Sequence, residues 1–184
     1  MKFRLAHAPY IGNKIALDLS TCGFVNVLHG LERIAKVAQK FIEANIQEEA
    51  NIEEKAREIL EENLDEIEFM RADEHQLFWK IKQKLAENEN FILNFEDRYN
   101  HLAHKILDEL FEEDLIDSAT SETRIVNVIF KAINSYSRIY NEVEEIVQER
   151  IANYKRKIVF GSEEYDLIFD KLYQEELKKK GFLS

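Results

Sequence analysis

The fold is decided by the stretch ETRIVNVIFKAINSYSRIYNEVEEIVQERIANYKRKI, residues 122–158, which contains neither glycine nor proline. Its apolar side chains recur every three or four residues, and this spacing places them along one face of an α-helix. The stripe consists of Ile133, Tyr136, Tyr140, Val143, Val147, Ile151, Tyr154 and Ile158. A helix of about 35 residues spans on the order of 50 Å. The sequence therefore predicts an elongated protein.

The same pattern occurs earlier in the chain, because a shift of 91 residues without gaps places residues 30–67 on residues 121–158 in the same helical phase. The match extends to the flanking segments: NKIALDL (13–19) falls on HKILDEL (104–110), and LFWKIKQ (77–83) falls on IFDKLYQ (168–174). We interpret the chain as a tandem duplication, with a first helical repeat over 1–91 and a second over 92–184.

Each repeat is predicted to contain a short helix, a loop, a long helix and a closing helix. The predicted helices cover 9–19, 30–67 and 73–88 in the first repeat and 96–113, 122–158 and 163–180 in the second. Pro9 suits a first helical turn, Gly181 suits the position after a helix, and Asp73, Ser121 and Ser162 suit N-caps. We predict an all-α, elongated, two-lobed protein in which the two long helices pair as a stem.

The burial of three tyrosines in the second stripe would show whether the two long helices pair as a stem. In the first repeat, Asn45, Glu49 and Asn63 stand in place of Tyr136, Tyr140 and Tyr154. If the long helices pair, the tyrosines are buried against the first long helix. If they are exposed, they form an amphipathic stripe of the kind that marks a partner-binding surface.

Composition narrows the class of protein. Five glycines and one proline leave little room for turns and argue against an all-β fold, and 45% apolar with 33% charged residues is typical of a soluble, folded chain. The single cysteine, Cys22, allows neither an intrachain disulfide nor a cysteine-based zinc site. No apolar run is long enough for a signal peptide or a membrane span. We expect a cytoplasmic protein without a membrane partner.

The net charge of −11 is concentrated in one segment, since residues 43–74 contain 13 acidic and 3 basic residues. Such a segment repels nucleic acid and membranes, and it attracts a basic partner. It is also typical of a solvated helix face. Glu58, Glu61 and Glu62 are the candidate partner-binding residues of this segment.

Two short basic clusters give an alternative, a nucleic-acid-associated protein. The clusters are Lys155, Arg156 and Lys157, and Lys178, Lys179 and Lys180. The second cluster also suits the negative end of a helix dipole.

A weak metal-site candidate lies on the predicted helix 96–113. Asp97, His101, His104 and Asp108 share its water-facing side, opposite the apolar side. A metal needs three or four converging ligands. These four residues lie on one exposed helix face, so further ligands would have to come from another helix. Neither Cys22 with His29 nor His75 has an evident catalytic partner in the sequence. We therefore expect no cofactor and no enzymatic activity, with a metal-dependent enzyme as the less favoured alternative.

Long blocks of the chain resemble the bacterial domain-of-unknown-function family 507. They are KFRLAHAPYIGNKIA (2–16), FMRADEHQLFWKIKQKLA (69–86), FEDRYNHLAHKILDELFEEDLI (95–116) and YKRKIVFGSEEYDLIFDKLYQEELKKKGF (154–182). The resemblance covers essentially the whole chain and implies a small, soluble bacterial protein with an extended, wholly helical fold of Y-like outline. It implies no catalytic residue and no cofactor.

These observations favour a non-enzymatic helical interaction protein that binds a protein partner. We expect it to be a monomer or a weak dimer.

Overall fold

The computed structural model describes residues 3–63, 73–156, 158 and 163–182, and this part of the chain is mostly helical, as predicted. The helices are α1 (Ala8–Thr21), α2 (Leu31–Glu62), α3 (Glu74–Asn88), α4 (Phe95–Glu112), α5 (Glu122–Ala152) and α6 (Glu163–Lys179). A short 3-10 turn, Leu5–His7, precedes α1, and two short strands, β1 (Asn26–Val27) and β2 (Ile116–Asp117), follow α1 and α4.

The helix ends follow local sequence signals. Pro9 lies in the first turn of α1, and the side chain of Asp73 caps α3 by accepting a hydrogen bond from the backbone N–H of Gln76 at 3.1 Å. Ser121 occupies the N-cap position of α5, but its side chain makes no capping hydrogen bond. Gly181 has the positive φ, 78°, that glycine adopts after a helix. Ser162 lies outside the described residues.

Both long helices form, although α5 ends at Ala152 rather than at residue 158 as predicted. The described part of α2 ends at Glu62, and residues 64–67 of the predicted segment lie outside the described residues. Tyr154 therefore follows α5 instead of extending its stripe, and its side chain is exposed.

The predicted stem is wrong for the described residues, because α2 and α5 make few contacts with each other. Instead, α1 packs against both long helices, and α4 does the same. The short helices supply the apolar surface that each long helix buries. The side chains of Ile11, Ile15 and Leu19 on α1 are fully buried, as are those of Ile106 and Leu110 on α4.

Close packing of α1 on α2 depends on Gly12. A Cβ atom at this position would lie 2.5 Å from the carbonyl oxygen of Ala35 on α2, which is too close for any non-bonded contact. Glycine thus allows the two backbones to approach each other, as is usual where helices cross closely.

The closing helices pack outside this core, α3 against α2 and α6 against α5. Strands β1 and β2 pair in antiparallel fashion, with Asn26 opposite Asp117, and join the loops that follow α1 and α4. No described helix has the length and apolar character needed to cross a bilayer.

Candidate functional site: a tyrosine groove

A groove of about 360 Å³ opens where the 3-10 turn, α1, α5 and α6 meet. We call it the tyrosine groove. It is lined by Arg4, Ala6, His7, Tyr10, Tyr140, Asp166, Phe169, Asp170 and Tyr173.

His7 reaches the groove from the end of the 3-10 turn and is only 4% exposed. Its Nδ1 accepts a hydrogen bond from the backbone N–H of Arg4 at 3.0 Å. Burial, assisted by the positive charge of Arg4, lowers the pKa of His7 to about 4. The ring is therefore neutral at pH 7, and because Nδ1 accepts, its proton lies on Nε2.

Two buried tyrosines form the inner part of this region. The hydroxyls of Tyr136 on α5 and Tyr173 on α6 lie 2.8 Å apart and share a hydrogen bond. Burial raises the pKa of both phenols above the ordinary value. The hydroxyl of Tyr140 donates to Glu144 at 2.9 Å, and burial together with this bond raises its pKa to about 12. All three phenols are neutral at pH 7.

One wall comes from α6, where Tyr165, Phe169 and Tyr173 are spaced four residues apart and thus lie on one helix face. The rings of Phe169 and Tyr173 are stacked, with centroids 5.7 Å apart and planes 14° apart. The exposed side chains of Asp166 and Asp170, on the same helix, also line the groove.

The groove is chemically suited to holding a positive group. The faces of tyrosine and phenylalanine rings carry negative electrostatic potential, and carboxylates beside them add a full charge. The groove is less suited to proton transfer at neutral pH, because a general acid or base works best with a pKa near 7. The pKa of His7 is about 4 and that of Tyr140 about 12.

A second cluster of polar side chains lies between α2, α3 and α4, and we call it the ion cluster. It consists of Asn45, Glu49 and Glu53 on α2, Lys82 on α3 and Arg98 on α4. The Nζ of Lys82 lies 2.8 Å from both Glu49 and Glu53, and the guanidinium of Arg98 lies 2.8 Å from Glu49. The side chains of Lys82, Glu49 and Arg98 are at most 5% exposed.

The carboxylates and the cationic side chains of this cluster neutralise one another's charge. Burial by itself would raise the pKa of Glu49, but hydrogen bonds and charge from Lys82 and Arg98 hold it below the ordinary value. Each cation also lies over an aromatic ring: Lys82 is 5.1 Å from the centroid of Trp79, and Arg98 is 4.6 Å from that of Phe91. The ion cluster is a cation site that the protein fills with its own side chains.

The two regions occupy equivalent positions in the sequence. At a spacing of 91 residues, Asn45 corresponds to Tyr136, Glu49 to Tyr140, Glu53 to Glu144, Lys82 to Tyr173, and His7 to Arg98. Polar and charged residues of the ion cluster thus correspond to neutral aromatic residues beside the groove, and only the glutamates Glu53 and Glu144 are retained.

The residues that the sequence suggested as metal ligands stay on the water-facing side of α4. Asp97, His101, His104 and Asp108 are all exposed. Among the residues that the structure describes, no group of three or more histidine, cysteine or acidic side chains is arranged to hold a metal ion.

The acidic candidates Glu58, Glu61 and Glu62 are exposed near the end of α2, far along the sequence from the groove residues. Three of the six basic candidates have acidic neighbours: Arg156 pairs with Glu164, Lys179 with Glu176, and Lys180 with Glu142. Lys155 and Lys178 are exposed, and Lys157 lies outside the described residues. This pairing lowers the charge that the basic clusters offer to a phosphate backbone.

The three tyrosines of the stripe are neither all buried against the first long helix nor all exposed, which were the two predicted alternatives. Tyr136 and Tyr140 are buried, yet their rings contact His7, Tyr173 and, for Tyr136, Phe182. They do so because α1 and α6, rather than α2, pack against α5. Tyr154 is 44% exposed.

Sequence reasoning missed His7, Tyr10, Phe169 and Tyr173 as site residues. The signal that could have found part of the groove is the spacing of Tyr165, Phe169 and Tyr173 along one helix face. His7 carries no such signal, because it joins them only through the packing of α1 on α5.

The fold and the groove together define a mostly helical protein with a polar, aromatic site between its N-terminal turn and its closing helix. The family model described as protein of unknown function (DUF507) matches residues 1–182, so the chain belongs to that family. No curated protein matches the chain.

Proposed function

We propose that this protein is a non-enzymatic interaction protein and that it binds a protein partner at the tyrosine groove. The observation that carries the proposal is the groove itself, about 360 Å³ lined by aromatic rings and carboxylates. Tyrosine is enriched in protein interfaces because a large ring supplies contact area while its hydroxyl stays hydrogen-bonded.

The groove is a better candidate than the acidic end of α2. Buried neighbours hold its walls in place: Tyr173 is bonded to Tyr136, and His7 is bonded to the backbone of Arg4. A side chain fixed in this way loses little conformational entropy when a partner binds. The exposed carboxylates of Glu58, Glu61 and Glu62 have no comparable support among the described contacts, and we assign them a role in attracting a basic partner over distance.

Site-specific photo-crosslinking in the native host tests this proposal. The photoreactive residue p-benzoylphenylalanine replaces Phe169, which lines the groove. Leu167, on the same helix and 68% exposed, is the matched control because it is not a lining residue. We expect a discrete protein adduct from position 169 that is absent from position 167. Equal adducts from both positions, or none from position 169, would contradict the proposal.

We further propose that the two halves of the chain derive from a duplication and form an elongated, two-lobed body of Y-like outline. The repeated order of elements supports the duplication: short helix, short strand, long helix and closing helix occur twice. The repeated packing supports it too, since each short helix contacts both long helices and each closing helix packs on its own long helix. Small-angle X-ray scattering tests the outline, because a compact chain of this length has a radius of gyration of only about 16 Å.

A further inference from the structure

We propose that the tyrosine groove binds a cationic side chain, the ammonium of a lysine or the guanidinium of an arginine, presented by a basic segment of the partner. This inference rests on the proposed function and names the chemistry that the groove would recognise.

The lining of the groove provides the first argument. Tyr10 and Phe169 present partly exposed aromatic rings, and the ring of the buried Tyr173 lies 6.3 Å from that of Tyr10. Asp166 and Asp170 add two exposed carboxylates from one turn of α6. Aromatic faces combined with carboxylates attract a cation more strongly than either does alone. The chain as a whole, at −11, also favours the approach of a basic segment.

The ion cluster provides the second argument, because the protein binds its own lysine at the equivalent place. There, Lys82 lies over the ring of Trp79 at 5.1 Å and between the carboxylates of Glu49 and Glu53 at 2.8 Å. In the other half, Tyr173 stands at the position of that lysine, while Glu144 is retained at the position of Glu53. The groove opens beside Tyr173, the residue that stands in place of that lysine, and it is lined by residues of both halves.

Among the residues that the structure describes, Arg4 is the one arginine or lysine that lines the groove, and its placement is compatible with this role. Its guanidinium lies 3.6 Å from the carboxylate of Glu144, which balances its charge, and its side chain is 69% exposed. His7 adds no positive charge at neutral pH because burial keeps it neutral. The carboxylates of Asp166 and Asp170 are then the acidic groups of the lining that a bound cation would contact.

The test is an NMR titration of the full-length protein with small probes that isolate the side chain. The cationic probes are N-acetyl-lysine methylamide and N-acetyl-arginine methylamide. Their uncharged counterparts are the norleucine and citrulline derivatives, which keep length and shape but lack the charge. We expect the cationic probes to shift the resonances of Tyr10, Phe169 and Tyr173 at millimolar concentration. The uncharged probes should shift them at least several-fold less at the same concentration.

Paired variants assign the effect to the groove. Asp166→Asn combined with Asp170→Asn removes both carboxylates without changing side-chain size, and binding of the lysine probe should weaken about three- to tenfold. Asp97→Asn combined with Asp108→Asn, on the exposed side of α4, is the matched control and should leave binding unchanged. Equal shifts from charged and uncharged probes, shifts away from the groove, or no loss in the first double variant would overturn the inference.

The crosslinking experiment separates this inference from the proposed function. If the adduct from position 169 persists in the variant that lacks both groove carboxylates, a partner binds there but not through a cation. If position 169 gives no adduct while the lysine probe still binds, the groove recognises a cation but the partner proposal is wrong.

Discussion

The guanidinium of Arg98 on α4 lies 2.8 Å from the carboxylate of Glu49 on α2, and both side chains are at most 5% exposed. Replacing Glu49 with alanine would leave two buried cations, Arg98 and Lys82, with the single carboxylate of Glu53, which contacts Lys82. We expect Glu49→Ala to lower the free energy of unfolding by about 3–5 kcal/mol, the usual cost of breaking a buried ion pair. Urea denaturation followed by circular dichroism measures this change.

The control for this variant is an exposed ion pair on α3. Lys84 lies 3.2 Å from Glu87, and both side chains are about 70% exposed, so Lys84→Ala should change the free energy of unfolding by about 0.5 kcal/mol or less. A similar small effect of Glu49→Ala would mean that the ion cluster does not hold α2 and α4 together.

The hydroxyl pair of Tyr136 and Tyr173 gives a second prediction. Tyr136→Phe leaves the buried hydroxyl of Tyr173 without this partner, and we expect a cost of about 1–3 kcal/mol in the free energy of unfolding. The double variant, with phenylalanine at both positions, removes donor and acceptor together and should be closer to the wild type than Tyr136→Phe alone. Tyr154→Phe, at an exposed position, is the matched control and should have little effect. A double variant less stable than both single variants would contradict this account.

The third prediction concerns pH. The pKa of His7 falls from 6.5 to about 4 on folding, so the unfolded chain binds the proton more readily than the folded chain. The stability that neutral His7 contributes is complete above pH 6.5 and is lost as the pH falls towards 4. The free energy of unfolding should therefore fall by about 3 kcal/mol between pH 6.5 and pH 4, because each pKa unit corresponds to about 1.4 kcal/mol.

Urea denaturation at a series of pH values between 7.5 and 4 measures this dependence. His7→Gln removes the titrating group, so stability should fall less steeply with decreasing pH than in the wild type. His104→Gln, on the exposed side of α4, controls for the loss of a histidine as such. Direct NMR titration of the His7 ring provides an independent check, and a midpoint near 6.5 would refute the prediction.

The fourth prediction concerns the contact between α1 and α2. Gly12→Ala would place a Cβ atom 2.5 Å from the carbonyl oxygen of Ala35, so the helices must move apart. We expect the free energy of unfolding to fall by about 1–3 kcal/mol, despite the higher helix propensity of alanine. Asn13→Ala, at the neighbouring exposed position, lacks this clash and should be neutral or slightly stabilising. Thermal melts of the two variants distinguish these outcomes, and a more stable Gly12→Ala would show that the helices are not in close contact.

The helices could be predicted from the sequence because apolar spacing is a local property. The stripe that includes Val143 and Val147 does lie on one buried face of α5. The same spacing does not say which helix covers that face. The predicted stem paired α2 with α5, whereas the buried faces of α1 and α4 lie against both long helices.

The groove could not be predicted because its residues are distant in the sequence. His7 and Tyr173 come from opposite ends of the chain, and their rings lie 6.2 Å apart only after α1 and α6 have both packed on α5. The spacing of 91 residues places Tyr136 and Tyr140 at the positions equivalent to Asn45 and Glu49. It does not show that these substitutions exchange an ion pair for an aromatic pair.

The pairing of Asn26 with Asp117 has a consequence for how the chain folds. This contact joins segments separated by most of the first repeat and by α4, and α1 buries its apolar face on a long helix from each half. A fragment that ends near residue 91 would leave α1 without α5 and expose its core face to water. Neither half is therefore expected to fold alone, and the two fragments should acquire structure only on mixing. We therefore expect folding to be cooperative across the repeat boundary, so that a destabilising substitution in one half also lowers the stability of the other.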